Sequence, residues 1–231
     1  MYRFKKLASS FLFIFLFSCG QSGQVKNTDT VQQSVQENIK SDSLQHSSAI
    51  RHIVFFGNSI TAGYGLEMSQ AFPALIQKKI DSLHLPYKVV NAGLSGETSS
   101  GGKNRIDWIL QQPVDIFVLE LGGNDGLRGI PLEETTKNLQ VIIERVKKKY
   151  PSAKLILAGM QIPPNMGEKY AGAFKKMFGN LSEKNKTILI PFLLEGVGGV
   201  PSLNQSDGIH PNVEGHRIVA DNVWKVLERI L

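Results

Sequence analysis

From residue 50 onward, short apolar runs alternate with amphipathic stretches of helical period, and no other feature of this chain constrains its fold so tightly. The runs are His52–Phe56, Lys88–Val90, Ile116–Leu121, Lys154–Ala158 and Thr187–Ile190. They are rich in branched and aromatic residues and lack a strict in–out alternation, the pattern of strands covered on both faces. Between them, Leu139, Ile142, Ile143, Val146 and Tyr150 recur at helical spacing and predict one helix over 132–150. Glu133 and Glu134 lie in its first turn and Lys147–Lys149 in its last, as the helix dipole favours, and Pro151 stops it. A last helix is predicted over 213–230, with Val219, Val223, Val226, Leu227 and Ile230 on one face. Strand–helix alternation implies right-handed crossovers, hence a five-stranded parallel sheet between two helical layers. Ligands in such sheets bind at the carboxyl ends of the strands.

Composition excludes several function classes. With 42% apolar and 20% charged residues the chain can build a core. Its single cysteine excludes a disulfide framework and a four-cysteine zinc module. The net charge is +6, but Arg3, Lys5 and Lys6 stand in the first six residues. The remaining excess is too small to argue for a nucleic-acid partner. The five histidines (46, 52, 84, 210 and 216) form no His-x-x-x-His pair, so no metal site is expected. No dinucleotide-binding fingerprint is present.

The amino terminus reads as an address. The apolar stretch 7–17 follows three positive charges and would span only about 16 Å as a helix, roughly half a bilayer core. That marks residues 1–18 as a secretory signal rather than an anchor. Leu16-Phe17-Ser18-Cys19 then resembles the lipobox of bacterial lipoproteins, although Phe17 departs from its usual small or branched residue. The resemblance implies lipidation of Cys19, with residues 19–49, poor in apolar side chains, as a flexible tether and 50–231 as the folded domain. An ordinary secretory signal with an incidental cysteine is the alternative.

Four loops at the predicted carboxyl ends of the strands carry chemistry. In Gly57-Asn58-Ser59, the serine opens a helical segment, where it could be a nucleophile or a cap. The segment is not a G-x-S-x-G elbow, because Thr61 stands at the second glycine. The loop Asn91–Thr98 includes Gly96, and Gly122-Gly123-Asn124-Asp125 offers a carboxamide donor. Asp207-Gly208-Ile209-His210 places an acid three residues before a histidine, where it can orient the ring. Together they supply a nucleophile, a base, an orienting acid and donors for an oxyanion, which is the inventory for acyl transfer.

At these residues the sequence resembles the SGNH (GDSL-type) hydrolase family, in particular its bacterial periplasmic branch of thioesterase, lysophospholipase and arylesterase enzymes. The likeness spans about 50–231, with its longest matches in Glu120–Gly129 and Asp207–Asn212. It implies a flavodoxin-like α/β/α sandwich, no cofactor, and a catalytic Ser59, Asp207 and His210. Ser59, Gly96 and Asn124 would form the oxyanion hole. Asn58 stands where the family usually has Asp. The implied enzyme is a serine esterase acting on small ester or thioester substrates from the cell envelope, facing the periplasm. Carbohydrate acetylesterase chemistry or a non-catalytic envelope lipoprotein are the alternatives. Leu66, Met68 and the segment Ile162–Met166 are candidate walls of an acyl groove, and Gly126–Ile130 a candidate mobile segment. Oligomeric state is not legible.

Overall fold

The computed structural model describes residues 49–163 and 166–231. The expected signal, Cys19 and nearly all of the tether lie outside the described residues, as do Pro164 and Asn165. Five strands form one parallel sheet: β1 Arg51–Gly57, β2 Tyr87–Gly93, β3 Ile116–Glu120, β4 Lys154–Ala158 and β5 Ile188–Ile190, in the order β2-β1-β3-β4-β5. The helices are α1 Ser59–Ala62, α2 Phe72–Ser82, α3 Ser99–Ile109, α4 Gly123–Leu127, α5 Leu132–Lys149, α6 Glu168–Asn185 and α7 Val213–Leu227. Helices α2 and α7 pack together, as do α3 with α5 and α5 with α6, making the two layers expected of a doubly wound sheet. The predicted last helix ends earlier than expected, at Leu227, and β2 runs on through Asn91-Ala92-Gly93, which the sequence suggested were loop.

The continuous apolar runs are explained by burial on both faces. In β1, Phe55 meets Phe72 of α2 edge-on at 5.3 Å, while the next residue, Phe56, turns toward α3, where the Arg105 guanidinium lies over its ring. Helix α3 comes this close because Gly102 has no side chain; a Cβ there would run into Leu121.

The sheet's direction of growth reverses between β1 and β3. Both neighbours of β1 are in register at its carboxyl end, where Gly57 lies opposite Gly93 of β2 and Glu120 of β3. A crevice opens beyond such a reversal, because the connections leaving the two strands go to opposite sides of the sheet.

Candidate active site

The turn after β1 is built around Asn58. Its side-chain Oδ1 accepts the Ile60 N–H at 3.0 Å and so caps α1, and Gly63 closes that helix in the left-handed region at φ 76°. Ser59 is the first helical residue, so its own N–H has no intrahelical partner. Among the described residues no acceptor meets it. The turn rests on Glu120 at the end of β3. Glu120 is 1% exposed and accepts from the Asn58 N–H (3.0 Å), Asn58 Nδ2 (2.7 Å) and the Thr61 hydroxyl (2.8 Å). Burial pushes its pKa up to about 7 against the pull of these donors.

The loop before α7 delivers the imidazole. Asp207 Oδ1 accepts the N–H groups of Ile209 and His210, each at 3.0 Å, which folds the loop over its own carboxylate. The other oxygen, Oδ2, lies 2.6 Å from His210 Nδ1. The tautomer that donates from Nδ1 leaves Nε2 as an acceptor, and Nε2 lies 2.9 Å from Ser59 Oγ. Burial alone would raise the Asp207 pKa. The hydrogen bonds from His210 and Ile209, with the charge of His210, outweigh it and hold the pKa at about 2. The carboxylate is therefore ionised at neutral pH, ready to stabilise an imidazolium. Tyr64 packs its ring 4.7 Å from that of His210, and Gln205 Nε2 donates to the Tyr64 carbonyl, tying the histidine loop to the serine loop.

Asn124 lines the same cavity as Ser59 and His210, and its Nδ2 donates to the Glu97 carbonyl at 3.0 Å. Gly96 adopts φ 78°, and its N–H has no acceptor among the described residues. It joins the constellation through its neighbours rather than by lining the cavity. Arg128 donates to its carbonyl, and the adjoining, buried Glu97 is held by an ion pair with the half-buried Arg105 at 2.6 Å. The cavity measures about 330 Å³, and its apolar wall includes Ile60, Leu127, Ile162, Phe192, Leu194 and Ile209. Ile162 and Pro163 thus line it as expected, whereas Met166 does not. Leu66 and Met68 do not: Met68 is 80% exposed, because the chain leaving α1 turns outward into a short 3₁₀ turn. Gly126–Ile130 is not a free loop either. Its first half completes α4, and a Cβ at Gly126 would strike Ile162 and Phe174.

Sequence reasoning did not single out Glu120, Tyr64 or the Glu97–Arg105 pair. An acidic residue closing an apolar strand was the available signal for Glu120. Among the described residues no group of His, Cys, Asp and Glu side chains is arranged to hold a metal ion, and no helix is long and apolar enough to cross a membrane.

Comparison with known proteins shows the family. Residues 55–218 match the model of the GDSL-like lipase/acylhydrolase family. The chain is 40% identical over 189 residues to esterase TesA of Pseudomonas aeruginosa, covering 81% of this chain and 93% of that protein. It is 37% identical over 186 residues to thioesterase 1/protease 1/lysophospholipase L1 of Escherichia coli, covering 80% and 87%. The crystal structure of TesA superposes with a TM-score of 0.75 at 41% identity, over 78% of this chain and all of that one. That of the psychrotrophic esterase EstA from a Pseudoalteromonas species, inhibited by monoethylphosphonate, does so with a TM-score of 0.73 at 31% identity, over 78% and 97%.

Proposed function

The chain belongs to the GDSL-like lipase/acylhydrolase family and is an ester hydrolase, and from that premise we propose that it works through an acyl-enzyme on Ser59, with His210 as base and Asp207 as its orienting acid. The observation that carries this reading is the unbroken relay of 2.9 Å from Ser59 Oγ to His210 Nε2 and 2.6 Å from His210 Nδ1 to Asp207. As Oγ attacks the ester carbonyl, Nε2 takes its proton, and the imidazolium is stabilised by the Asp207 carboxylate. The carbonyl oxygen becomes an oxyanion held by the N–H groups of Ser59 and Gly96 and by Asn124 Nδ2. The imidazolium then protonates the leaving group, the tetrahedral intermediate collapses to the acyl-enzyme, and His210 activates water to release the acid.

The apolar cavity beside Ser59 favours an acyl chain over an acetyl group as the part held by the protein, because Ile60, Ile162 and Phe192 have nothing to offer a sugar hydroxyl. This supports lysophospholipid, aryl-ester or acyl-thioester substrates over acetylated sugars. The leader and Cys19 support export and lipid anchoring in the cell envelope, with the domain in the periplasm. Incorporation of radiolabelled palmitate, lost in Cys19→Ala, tests that placement.

Labelling with a fluorophosphonate probe tests the chemistry. Wild-type protein is expected to label and to hydrolyse p-nitrophenyl esters, with rates rising with chain length. Ser59→Ala should do neither. An unlabelled wild type, or a Ser59→Ala variant with near wild-type turnover, overturns the assignment.

A further inference from the structure

We propose that Glu120 is a positioning residue for the nucleophile turn, acting through the carboxamide of Asn58; the inference rests on the reading of Ser59 as nucleophile.

Glu120 is a carboxylate 1% exposed, and among the described residues no cation pairs with it. Burying such a group is costly unless its lone pairs are satisfied. Here the turn itself satisfies them. Oε2 accepts from the Asn58 N–H and from the Thr61 hydroxyl, and Oε1 accepts from Asn58 Nδ2. The space for this arrangement exists because residue 57 is glycine: a Cβ there would collide with both Glu120 Oε2 and Thr61 Oγ1.

The two ends of the Asn58 carboxamide are not equivalent. Once ionised, as it is above about pH 7, the Glu120 carboxylate can only accept, so the end facing it must be the N–H₂ group. The oxygen is then forced to the opposite side, where it accepts the Ile60 N–H at 3.0 Å and lies 3.4 Å from Ser59 Oγ. Glu120 thereby fixes the cap that sets the start of α1, and with it the direction of the Ser59 side chain toward His210.

Replacing Glu120 by glutamine breaks this logic in a predictable way. If the new N–H₂ group takes the place of Oε1, it faces the N–H₂ of Asn58. If it takes the place of Oε2, it faces the Asn58 N–H. The first clash is relieved by flipping Asn58, which turns N–H₂ toward Ile60 and removes the cap; the second sets a donor against a backbone N–H that no side-chain flip can move, so the turn takes up the first arrangement. The double substitution Glu120→Gln with Asn58→Asp restores every partner. The introduced carboxamide donates to one oxygen of the introduced carboxylate, and its own oxygen accepts from the backbone N–H of residue 58 and from Thr61. The other carboxylate oxygen caps α1.

The experiment is steady-state hydrolysis of a p-nitrophenyl ester at about pH 8, where Glu120 is ionised, by wild type, Glu120→Gln and the double variant, with thermal unfolding of each. The single variant is expected to lose roughly tenfold or more in kcat while KM changes by less than about threefold. The double variant should recover kcat to within about threefold of wild type. A purely structural carboxylate would predict no such recovery. A Glu120→Gln kcat equal to wild type, or a folded double variant as impaired as the single one, overturns the proposal. If Glu120→Gln does not fold, the double variant decides: folded and active supports the proposal, unfolded or folded and weak overturns it. A wild type that neither labels with the fluorophosphonate nor turns over the ester sinks the hydrolase reading instead.

Discussion

Asn124 commits one of its two amide hydrogens to the Glu97 carbonyl and keeps the other for the cavity that holds Ser59. The first bond aims the second. In the proposed mechanism, removing the carboxamide therefore removes a preorganised donor whose value is realised only as charge develops on the substrate oxygen. Asn124→Ala is expected to lower kcat by roughly 10² with little change in KM, and Asn124→Asp by at least as much, because an anion replaces the donor. Steady-state kinetics on a p-nitrophenyl ester checks both, and an unchanged kcat would take Asn124 out of the oxyanion hole. At this scale the candidate site was legible wherever the proposed chemistry needs a residue type that stands out in a loop: Ser59 after glycine and asparagine, Asn124 after two glycines, and His210 three residues from Asp207. Glu120 escaped notice because the apolar strand that ends in it looks the same whether the carboxylate faces solvent or supports a turn. Leu66 and Met68 misled in the opposite sense, since nearness in sequence to Ser59 says nothing of which way the chain leaves α1.

Helix α1 has only four residues and cannot hold its place by propensity. It is held by what lies beneath it. Gly93 ends β2 directly under the turn, and a Cβ there would run into the backbone of Thr61 and Ala62. Asn91 adds a tie from the same strand, its Nδ2 donating to the Thr61 carbonyl at 2.9 Å. Gly93→Ala therefore has to lift α1 off the sheet. Overpacking of this kind costs about 1–3 kcal/mol, and it moves the first residue of α1, which is Ser59. The expected outcome is a lower urea midpoint together with a kcat reduced by about tenfold or more. Parallel measurement of the two separates a displaced turn from a merely softer fold, and a variant with full kcat would show that α1 tolerates the shift. The inner strands β1, β3 and β4 were readable because burial on both faces leaves an uninterrupted apolar run. Helix α3 was not, because Ser99-Ser100-Gly101-Gly102 has the composition of a loop. It forms because the Thr98 hydroxyl caps it through the Gly101 N–H and because its glycines let it lie close on the sheet. Helix α6 hid behind Gly172 and Gly179 in the same way.

For the molecule as a whole, two buried groups, His216 on α7 and Glu120 at the end of β3, oppose each other in how stability responds to pH. His216 of α7 is 1% exposed, and its Nδ1 accepts the Phe72 N–H at 3.1 Å, a bond that only the neutral ring can make. Burial, helped by the charge of His210, lowers its pKa from 6.5 to about 4. The unfolded chain therefore binds a proton between those values that the folded chain does not, and stability rises with pH across that window. Glu120 acts in reverse. Burial raises its pKa from 4.5 to about 7, so the folded state binds the extra proton and stability falls as pH rises through that range. The two slopes oppose each other between 4.5 and 6.5, and as far as these groups govern it, the wild-type stability curve is flat there. His216→Gln keeps an acceptor for the Phe72 N–H but removes the rising slope. The variant loses ring packing at every pH, yet the sign of its pH dependence is the diagnostic quantity. Its unfolding free energy from urea titration should be higher at pH 5.0 than at pH 6.5, by about 2 kcal/mol for one proton over that interval, while wild type changes little. A His216→Gln variant whose stability does not fall as pH rises from 5.0 to 6.5 would mean that Glu120 is ionised throughout, held so by Asn58 and Thr61 against its burial.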